Sequence, residues 1–240
     1  MKIIVCRNYA EMSAESAKIV AEQIKSKPDC VLGLATGSTP EGMYACLAAM
    51  HRDEKLDFSK VTSVNLDEYY PIAPDNDQSY RYFMNFHLFD KVNIDKSNTY
   101  VPDGTAEDPD KFCADYEKLI EELGGVDLQV LGIGRNAHIG FNEPGDVLYP
   151  DTHLTELTPS TVEANSRFFD SVDDVPKHAL TMGIASILRA KKIIVLASGK
   201  EKHNAVLKLL GNTLETKYPA TMLALHHDVT LICDDAAYNG

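Results

Sequence analysis

Residues 30–40 read CVLGLATGSTP, an aliphatic run followed by a short polar loop and a proline. The run is too short for a helix and is bounded by turn-forming residues, which is typical of a buried strand. Pro40 is tolerated in the first turn of a helix, because the amide hydrogen that proline lacks would have no partner there. The stretch therefore predicts a strand, a glycine-containing turn and then a helix over residues 41–51.

The same alternation of strands and helices continues outward from this stretch. Short apolar runs predict further strands at residues 2–6, 61–66, 128–133, 192–197, 221–225 and 229–233. Apolar residues at helical spacing predict helices within residues 17–24 and 112–123, and Pro176 is suitably placed to open another over residues 177–190. The alternation predicts one α/β domain spanning residues 1–240, with a Rossmann-like, mainly parallel sheet covered by helices on both faces.

One polar segment, residues 145–174, interrupts the alternation. Long segments without regular structure are uncommon in compact domains and are often functional. The segment is either an ordinary surface excursion or, as we expect, a lid over a site.

The overall composition limits the classes of partner. Of the 240 residues, 25% are charged, and the net charge is −13. Such an acidic surface repels nucleic acid and anionic lipid, so we expect neither nucleic acid nor a membrane as a partner. The first residues lack the apolar core of a signal peptide, and the five cysteines are odd in number with no C-x-x-C pair, which favours reduced thiols. We therefore predict a cytoplasmic protein.

The candidate ligand sites are the residues that follow predicted strands, because ligands bind beyond the carboxyl ends of strands in open parallel sheets. Thr36, Gly37, Ser38 and Thr39 follow the strand at residues 30–35. A glycine, two hydroxyl types and the unpaired amides of a helix start can bind a phosphate. The G-K-[ST] ending of a nucleotide-binding loop is missing, so a nucleotide is not implied. A serine or threonine capping the helix explains the same residues about equally well.

Two further loops carry groups that can transfer protons. Asp67 and Glu68 follow the strand at residues 61–66, where a carboxylate can be a general base or can simply cap a turn. The loop at residues 132–144, GIGRNAHIGFNEP, presents His138 and Glu143, and histidine is the side chain best suited to moving protons near neutral pH. The spacing of an H-E-x-x-H zinc site is absent, so we expect no metal. Lys202, after the strand at residues 192–197, is placed either to reach an anion or to lie in solvent.

Together these segments resemble the glucosamine-6-phosphate deaminase family. The matching motifs run in family order, and HIGFNEP and ANSRFF are highly specific: ATGSTP (35–40), NLDEYY (65–70), QSY (78–80), GIGRNAHIGFNEPG (132–145), ANSRFF (164–169) and SGKEK (198–202). The 6-phosphogluconolactonase family is related in fold, but it usually has D-E-R where this chain has Asp67-Glu68-Tyr69. It also usually has H-T-A-S-L-F where this chain has residues 138–143.

The resemblance implies an enzyme that isomerises and deaminates glucosamine 6-phosphate to fructose 6-phosphate and ammonia, in amino sugar catabolism and without a cofactor. The small-molecule partner is then a hexosamine phosphate. Two alternatives stay open, namely a sugar-phosphate lactone hydrolase and a non-catalytic sugar-phosphate-binding regulator. The regulator is disfavoured because the chain has no spare length or basic face for DNA binding.

The resemblance also implies roles for individual residues. Asp67 would remove the C2 proton and return it toward C1, His138 would open the pyranose ring, and Glu143 would orient His138. Asn136 stands where many family members have aspartate, and its amide oxygen would still accept a hydrogen bond from the imidazole. The implied substrate-binding residues are Thr36, Gly37, Ser38, Thr39, Tyr80, Arg167 and Lys202.

The family resemblance finally bears on regulation. Hexameric members of the family bind N-acetylglucosamine 6-phosphate at a subunit interface, using residues that follow the N-E-P motif. In this chain residues 145–156 contain three carboxylates and no lysine or arginine. A second dianion would meet like charge there. We therefore expect no allosteric activation, and a monomer or small oligomer.

Overall fold

The structure is a computed structural model, and it describes residues 1–166, 169 and 171–240. Within this part of the chain, a central parallel sheet has the strand order β1-β10-β9-β6-β2-β3-β5, and a smaller antiparallel sheet has the order β4-β8-β7. The strands are β1 (Lys2–Cys6), β2 (Val31–Leu34), β3 (Thr62–Asn65), β4 (Asp67–Tyr70), β5 (Thr99–Tyr100), β6 (Leu128–Gly132), β7 (His153–Glu156), β8 (His178–Thr181), β9 (Ile193–Ala197) and β10 (Val229–Asp234).

Helices cover the parallel sheet on both faces. They are α1 (Tyr9–Ser26), α2 (Ser38–Glu54), α3 (Tyr80–His87), α4 (Pro109–Glu122), α5 (Pro159–Asn165), α6 (Ile184–Leu188), α7 (His203–Leu209) and α8 (Asp235–Asn239). Strand β9 shows why both faces need cover, since Ile193 and Val195 pack in one hydrophobic core while Ile194 and Leu196 pack in the other. Alternate side chains of a strand point to opposite faces, so a strand that is apolar throughout must be buried on both. The predicted fold class is confirmed.

Two local predictions are wrong. Residues 177–190 form strand β8 and the short helix α6 rather than one helix. Ala179 and Leu180 are completely buried because β8 is the middle strand of the small sheet, and that burial explains their apolar character without a helix. Residues predicted as a strand at 221–225 belong to a 3₁₀ helix, Pro219–Leu225, because a short apolar run does not distinguish a strand from a buried helical turn.

The segment at residues 145–174 has regular structure that its sequence did not indicate. It contributes β7 to the small sheet and contains α5, whose start is capped by Thr158 and followed by Pro159. That this segment closes over a ligand stays a prediction.

The order of the strands locates the crevice in which a ligand is expected. From β2 the chain proceeds to β3 and β5 on one side, and then returns to β6 on the other side of β2. The loops after β2 and β6 therefore diverge at their carboxyl ends, which is the switch point where open α/β sheets bind ligands. None of the helices in the described part of the chain is both long enough and apolar enough to cross a membrane.

Candidate active site

A cavity of about 1040 Å³ opens at this switch point. The loops after β2, β3, β6 and β9 line it, together with residues of α5. It brings together most of the predicted site residues: Thr36, Gly37, Ser38, Thr39, Asp67, Tyr80, Asn136, His138 and Lys202. Glu143 lies behind His138 rather than in the lining. Arg167, predicted as a second phosphate-binding cation, lies outside the described residues.

One end of the cavity is suited to an anion. Gly37 is the N-cap of α2 and has a φ of 91°, a conformation that side-chain-bearing residues rarely adopt. No side chain caps the helix at this position. The positive end of the α2 dipole therefore faces the cavity without a competing carboxylate or hydroxyl in the capping position. Lys202 lines the same cavity, and its Nζ donates to the carbonyl oxygen of Ile133 at 2.8 Å.

Asp234 holds the loop that carries Lys202 in place at this anion-binding end. Its carboxylate accepts hydrogen bonds from the Ser198 hydroxyl and from the amide of Gly199, and it also accepts the amide of Ala237 at the start of α8. Asp234 thus fixes the loop that carries Lys202 to the end of β10. No sequence motif marks this residue, because it belongs to a strand end remote from the loop.

Asp67 lies where the chain leaves the parallel sheet and enters the small one. Asp67 is only 6% exposed to solvent. Burial, followed by the charge of Glu68, raises the pKa of Asp67 to about 8. A carboxylate with a raised pKa is a stronger base than an ordinary aspartate and can accept a proton from carbon more readily.

The loop that carries His138 passes directly over Asp67. A Cβ atom on Gly140 would lie 3.5 Å from Asp67 Oδ2 and 2.9 Å from the hydroxyl oxygen of Thr181. Gly140 also has a φ of 58°. Glycine at this position allows the positive φ and the close approach to the Thr181 hydroxyl, and the loop then lies in van der Waals contact with the Asp67 carboxylate, so the base and the histidine belong to one site.

Glu68 binds backbone amides and is not among the residues that line the cavity. Its carboxylate accepts the amides of Tyr69 (3.0 Å), Tyr80 (2.8 Å) and Arg81 (2.9 Å). Burial raises the pKa of Glu68 to about 7, although these three hydrogen bonds act in the opposite direction. Glu68 therefore ties the start of α3 to β4 and places a second acidic group beside Asp67.

His138 and Glu143 form a pair within the loop that follows β6. The Nδ1 atom of His138 lies 3.4 Å from Glu143 Oε2, and the hydroxyl of Thr161 in α5 donates to Oε1. Burial raises the pKa of Glu143, but the bonds from His138, Thr161 and Asn136 outweigh it and leave the pKa below its usual value. An ionised carboxylate only accepts hydrogen bonds, so Nδ1 carries the hydrogen and Nε2 is the nitrogen available to a ligand.

Asn136 acts differently from the expectation. Its Oδ1 accepts the backbone amide of His138 at 3.2 Å, not an imidazole N–H, and its Nδ2 donates to Glu143 Oε2 at 2.9 Å. The expected contact with the ring is therefore wrong. Asn136 influences His138 through Glu143, because the side chains of both residues bind the same carboxylate oxygen.

A tight glycine turn sets the position of the imidazole. A Cβ atom on Gly134 would lie 2.5 Å from both Cδ2 and Nε2 of His138, so the ring packs directly on the glycine. Ala137 has a φ of 64°, its amide donates to the Gly134 carbonyl, and its own carbonyl accepts the amide of Ala220 at 2.8 Å. The turn is therefore held by a hydrogen bond within itself and by another to the 3₁₀ helix Pro219–Leu225.

Aromatic rings form the wall beside Asp67. Tyr80 stacks on Phe141 with ring centroids 6.0 Å apart, and Tyr69 lies 4.8 Å from Tyr80. Burial raises the pKa of Tyr80 well above its ordinary value. Tyr80, predicted to bind substrate, therefore lines the cavity as part of an apolar wall. Tyr69, Phe141 and Thr161 were not predicted, since their roles depend on the small sheet and on α5, which the sequence pattern missed.

Comparisons with known proteins show which family the chain resembles in sequence and in fold. A family model described as glucosamine-6-phosphate isomerases/6-phosphogluconolactonase matches residues 7–232. The chain is 56% identical over 237 residues to a glucosamine-6-phosphate deaminase of Clostridium perfringens strain 13, covering 99% of this chain and 98% of that protein. A solved monomeric glucosamine-6-phosphate deaminase of the NagB superfamily superimposes with a TM-score of 0.97 at 48% identity, covering 99% of this chain and 98% of that one. A 6-phosphogluconolactonase from Trypanosoma brucei shares the fold, with a TM-score of 0.79 at 20% identity over 98% of this chain and 97% of that one.

Proposed function

The chain belongs to the family of glucosamine-6-phosphate isomerases and 6-phosphogluconolactonases, and on this premise we propose that it converts glucosamine 6-phosphate to fructose 6-phosphate and ammonia. The proposal takes the deaminase branch because the relatives that share about half of the residues over the full length are deaminases. The lactonases share the fold at about a fifth of the residues.

The observation that carries the proposal is the presence of two separate proton-transfer groups in one cavity. Asp67, with its raised pKa, and His138, which pairs with Glu143, both line the cavity. Hydrolysis of a lactone needs one general base to activate one water. Aldose–ketose isomerisation of a cyclic sugar needs one group to open the ring and another to move a proton between C2 and C1.

Ring opening falls to His138. Glu143 holds the Nδ1–H bond, so Nε2 can take the proton from the O1 hydroxyl and deliver it to O5 as the C1–O5 bond breaks. The carboxylate of Glu143 stabilises the imidazolium that forms between these two transfers. Thr161 and Asn136 keep that carboxylate in place.

Isomerisation falls to Asp67. Its carboxylate removes the C2 proton of the open-chain aldose while a proton passes from the C2 ammonium group to O1, which gives an enolamine. The protonated Asp67 then returns a proton to C1, which gives the 2-iminium form of fructose 6-phosphate. Water then adds to C2, and ammonia leaves. The ammonium group of the substrate lies on C2 itself, and an opposite charge at this distance favours the ionised form of Asp67 when substrate is bound.

Phosphate binding supplies affinity at a distance from these carbons. The loop Thr36, Gly37, Ser38 and Thr39, together with Lys202, provides helix amides, hydroxyls and a cation at one end of the cavity. Arg167, from the ANSRFF motif, is the second cation of this proposal. Binding energy gained here orients C1 and C2 against Asp67.

We extend the proposal to the assembly and its regulation, namely a cytoplasmic monomer or small oligomer without allosteric activation. Supporting this, the similar solved deaminase is monomeric. The segment at residues 145–156 is acidic, and Arg189, which lies beside it, already pairs with Glu117 and with Asp151 (3.1 Å). A dianionic effector therefore finds no unneutralised cation among these described residues.

The test is product analysis with purified protein. Glucosamine 6-phosphate should yield ammonia and fructose 6-phosphate in equal amounts, whereas glucosamine and N-acetylglucosamine 6-phosphate should yield little or none. Asp67→Asn is the matched inactive control. Hydrolysis of 6-phosphogluconolactone without any ammonia release from the amino sugar phosphate would instead identify a lactonase.

A further inference from the structure

Tyr9 contacts the cavity from an element that carries none of the site motifs. It is the first residue of α1, it lines the cavity, and it is 37% exposed. Its hydroxyl donates to the carbonyl oxygen of Ser38 at 3.0 Å and accepts the amide of Gly42 at 2.7 Å. In an α-helix that begins at Ser38, these two groups form a main-chain hydrogen bond of the first turn. One hydroxyl therefore binds both members of the pair that closes the first turn of α2.

The first turn of α2 has little other support from side chains. Its N-cap is Gly37, which offers no capping hydrogen bond. Pro40 lies within the turn and has no amide hydrogen. This lack of a local cap leaves the amides at the helix start available to an anion, but it also leaves the turn without the usual anchor. The Tyr9 hydroxyl supplies that anchor from a neighbouring helix.

Close packing of α1 on α2 makes the contact possible. A Cβ atom on Gly42 would lie 2.3 Å from Ser13 Oγ and 3.0 Å from Tyr9 Cε1. Only glycine therefore permits this approach without a shift of one helix. The start of α1 is itself fixed, because Asn8 accepts the amide of Glu11 at 3.0 Å. The position of the hydroxyl is thus set by both helices.

We propose that Tyr9 is a positioning residue for phosphate recognition, which fixes the first turn of α2 so that the amides at residues 37–39 are held ready for the phosphate of the substrate. The inference rests on the proposed function only in taking a phosphate as the group bound at α2. Tyr9 acts at the end of the cavity away from the reacting carbons. Its loss should therefore weaken binding and leave the chemical step intact.

The test is Tyr9→Phe, which removes only the hydroxyl. The KM for glucosamine 6-phosphate should rise about three- to tenfold, the range expected for the net loss of a hydrogen bond, while kcat stays within about twofold. The Kd of inorganic phosphate, measured by calorimetry, should rise by a similar factor. Tyr82→Phe is the matched control, since Tyr82 is 41% exposed on α3 and does not line the cavity.

Three results would overturn the inference. They are an unchanged KM with an unchanged phosphate Kd, a fall in kcat at constant KM, and a lower unfolding temperature with no change in either binding constant, which would mark a merely structural tyrosine. Phosphate binding is measured without turnover, so the two proposals can fail separately. A wild-type protein that binds phosphate in a Tyr9-dependent way but releases no ammonia contradicts the proposed function alone.

Discussion

Replacing Asp67 by Asn should abolish turnover and at the same time stabilise the folded protein at alkaline pH. The pKa of this carboxyl rises from 3.8 to about 8 on folding, because burial and the charge of Glu68 disfavour its ionised form. A carboxyl whose pKa is higher in the folded than in the unfolded protein costs no stability at pH values below the unfolded pKa. The penalty grows as the pH rises from about 4 to about 8, and it is constant above that range. Asparagine cannot ionise, so the variant escapes this penalty.

The expected magnitude follows from the shift. About four pK units correspond to about 6 kcal/mol if the whole shift is felt as lost stability. Asp67 borders a water-accessible cavity, and hydration there offsets part of the cost, so we expect a gain of about 1–3 kcal/mol in the free energy of unfolding near pH 9. The gain should shrink toward zero near pH 4. Urea unfolding of both proteins across this pH range measures it directly.

Asp127→Asn is the matched control with the opposite sign. Asp127 is equally buried, and burial raises its pKa, but the bonds from Lys191 (2.7 Å) and Lys27 (2.7 Å) outweigh burial and leave the pKa lowered. Its contribution to stability is present above the unfolded pKa and is lost as the pH falls. The control variant should therefore be less stable than wild type at pH 8. A destabilised Asp67→Asn protein at pH 9, or a difference that does not grow with pH, would refute the reasoning.

The remaining predictions concern the neighbours of the two proton-transfer groups. Glu68→Gln removes a charge that raises the pKa of Asp67, so the acid limb of kcat/KM should move to lower pH; an unmoved limb would show that Glu68 has no influence on the base. Asn136→Asp replaces an amide donor to Glu143 by a second carboxylate, which should raise the pKa of Glu143 and lower kcat at acidic pH, and an unchanged pH–kcat profile would contradict the geometry of this contact. Thr161→Val deletes the α5 hydroxyl that donates to Glu143 and should reduce kcat several-fold, and an unchanged kcat would show that Thr161 does not position Glu143. N-acetylglucosamine 6-phosphate should leave the substrate dependence hyperbolic, and a change from sigmoidal to hyperbolic kinetics on its addition would refute the proposal about regulation.

The inner strands of the parallel sheet were predictable because they are buried on both faces, whereas the two-residue strand β5 was not predicted. Runs such as residues 193–197 are apolar at every position, which is typical of a strand that is buried on both faces. The loop at residues 35–40 was predictable for a related reason, since a glycine and a proline are typical of the junction between a strand and a helix. The carboxyl ends of those strands then indicated where the site lies.

The small sheet was not predictable from local patterns. Strand β4 begins at Asp67 and contains two carboxylates, a composition that disfavours strands, and it is held there by pairing with β8. Residues in β8 in turn carry apolar side chains at a spacing that is compatible with a helix. Only tertiary pairing across about 110 residues decides between the two structures, since Asp67 pairs with Thr181.

Individual side-chain contacts in the site could not be predicted from the sequence either. His138, Glu143 and Asn136 lie within eight residues, so their proximity was expected, but the bond from Asn136 to Glu143 depends on the turn at Ala137, where a non-glycine residue has positive φ. Thr161 reaches Glu143 from another segment, and its contact required knowledge of α5.

The central claim is that the enzyme isomerises its substrate through proton removal at C2. It is tested most directly by supplying glucosamine 6-phosphate deuterated at C2 and identifying the product by nuclear magnetic resonance. The expected product is fructose 6-phosphate, with the deuterium transferred in part to C1 or lost to water, and turnover should be slower than for the protiated substrate. An aldose 6-phosphate that retains deuterium at C2 would show that ammonia is displaced without isomerisation, and it would contradict the account.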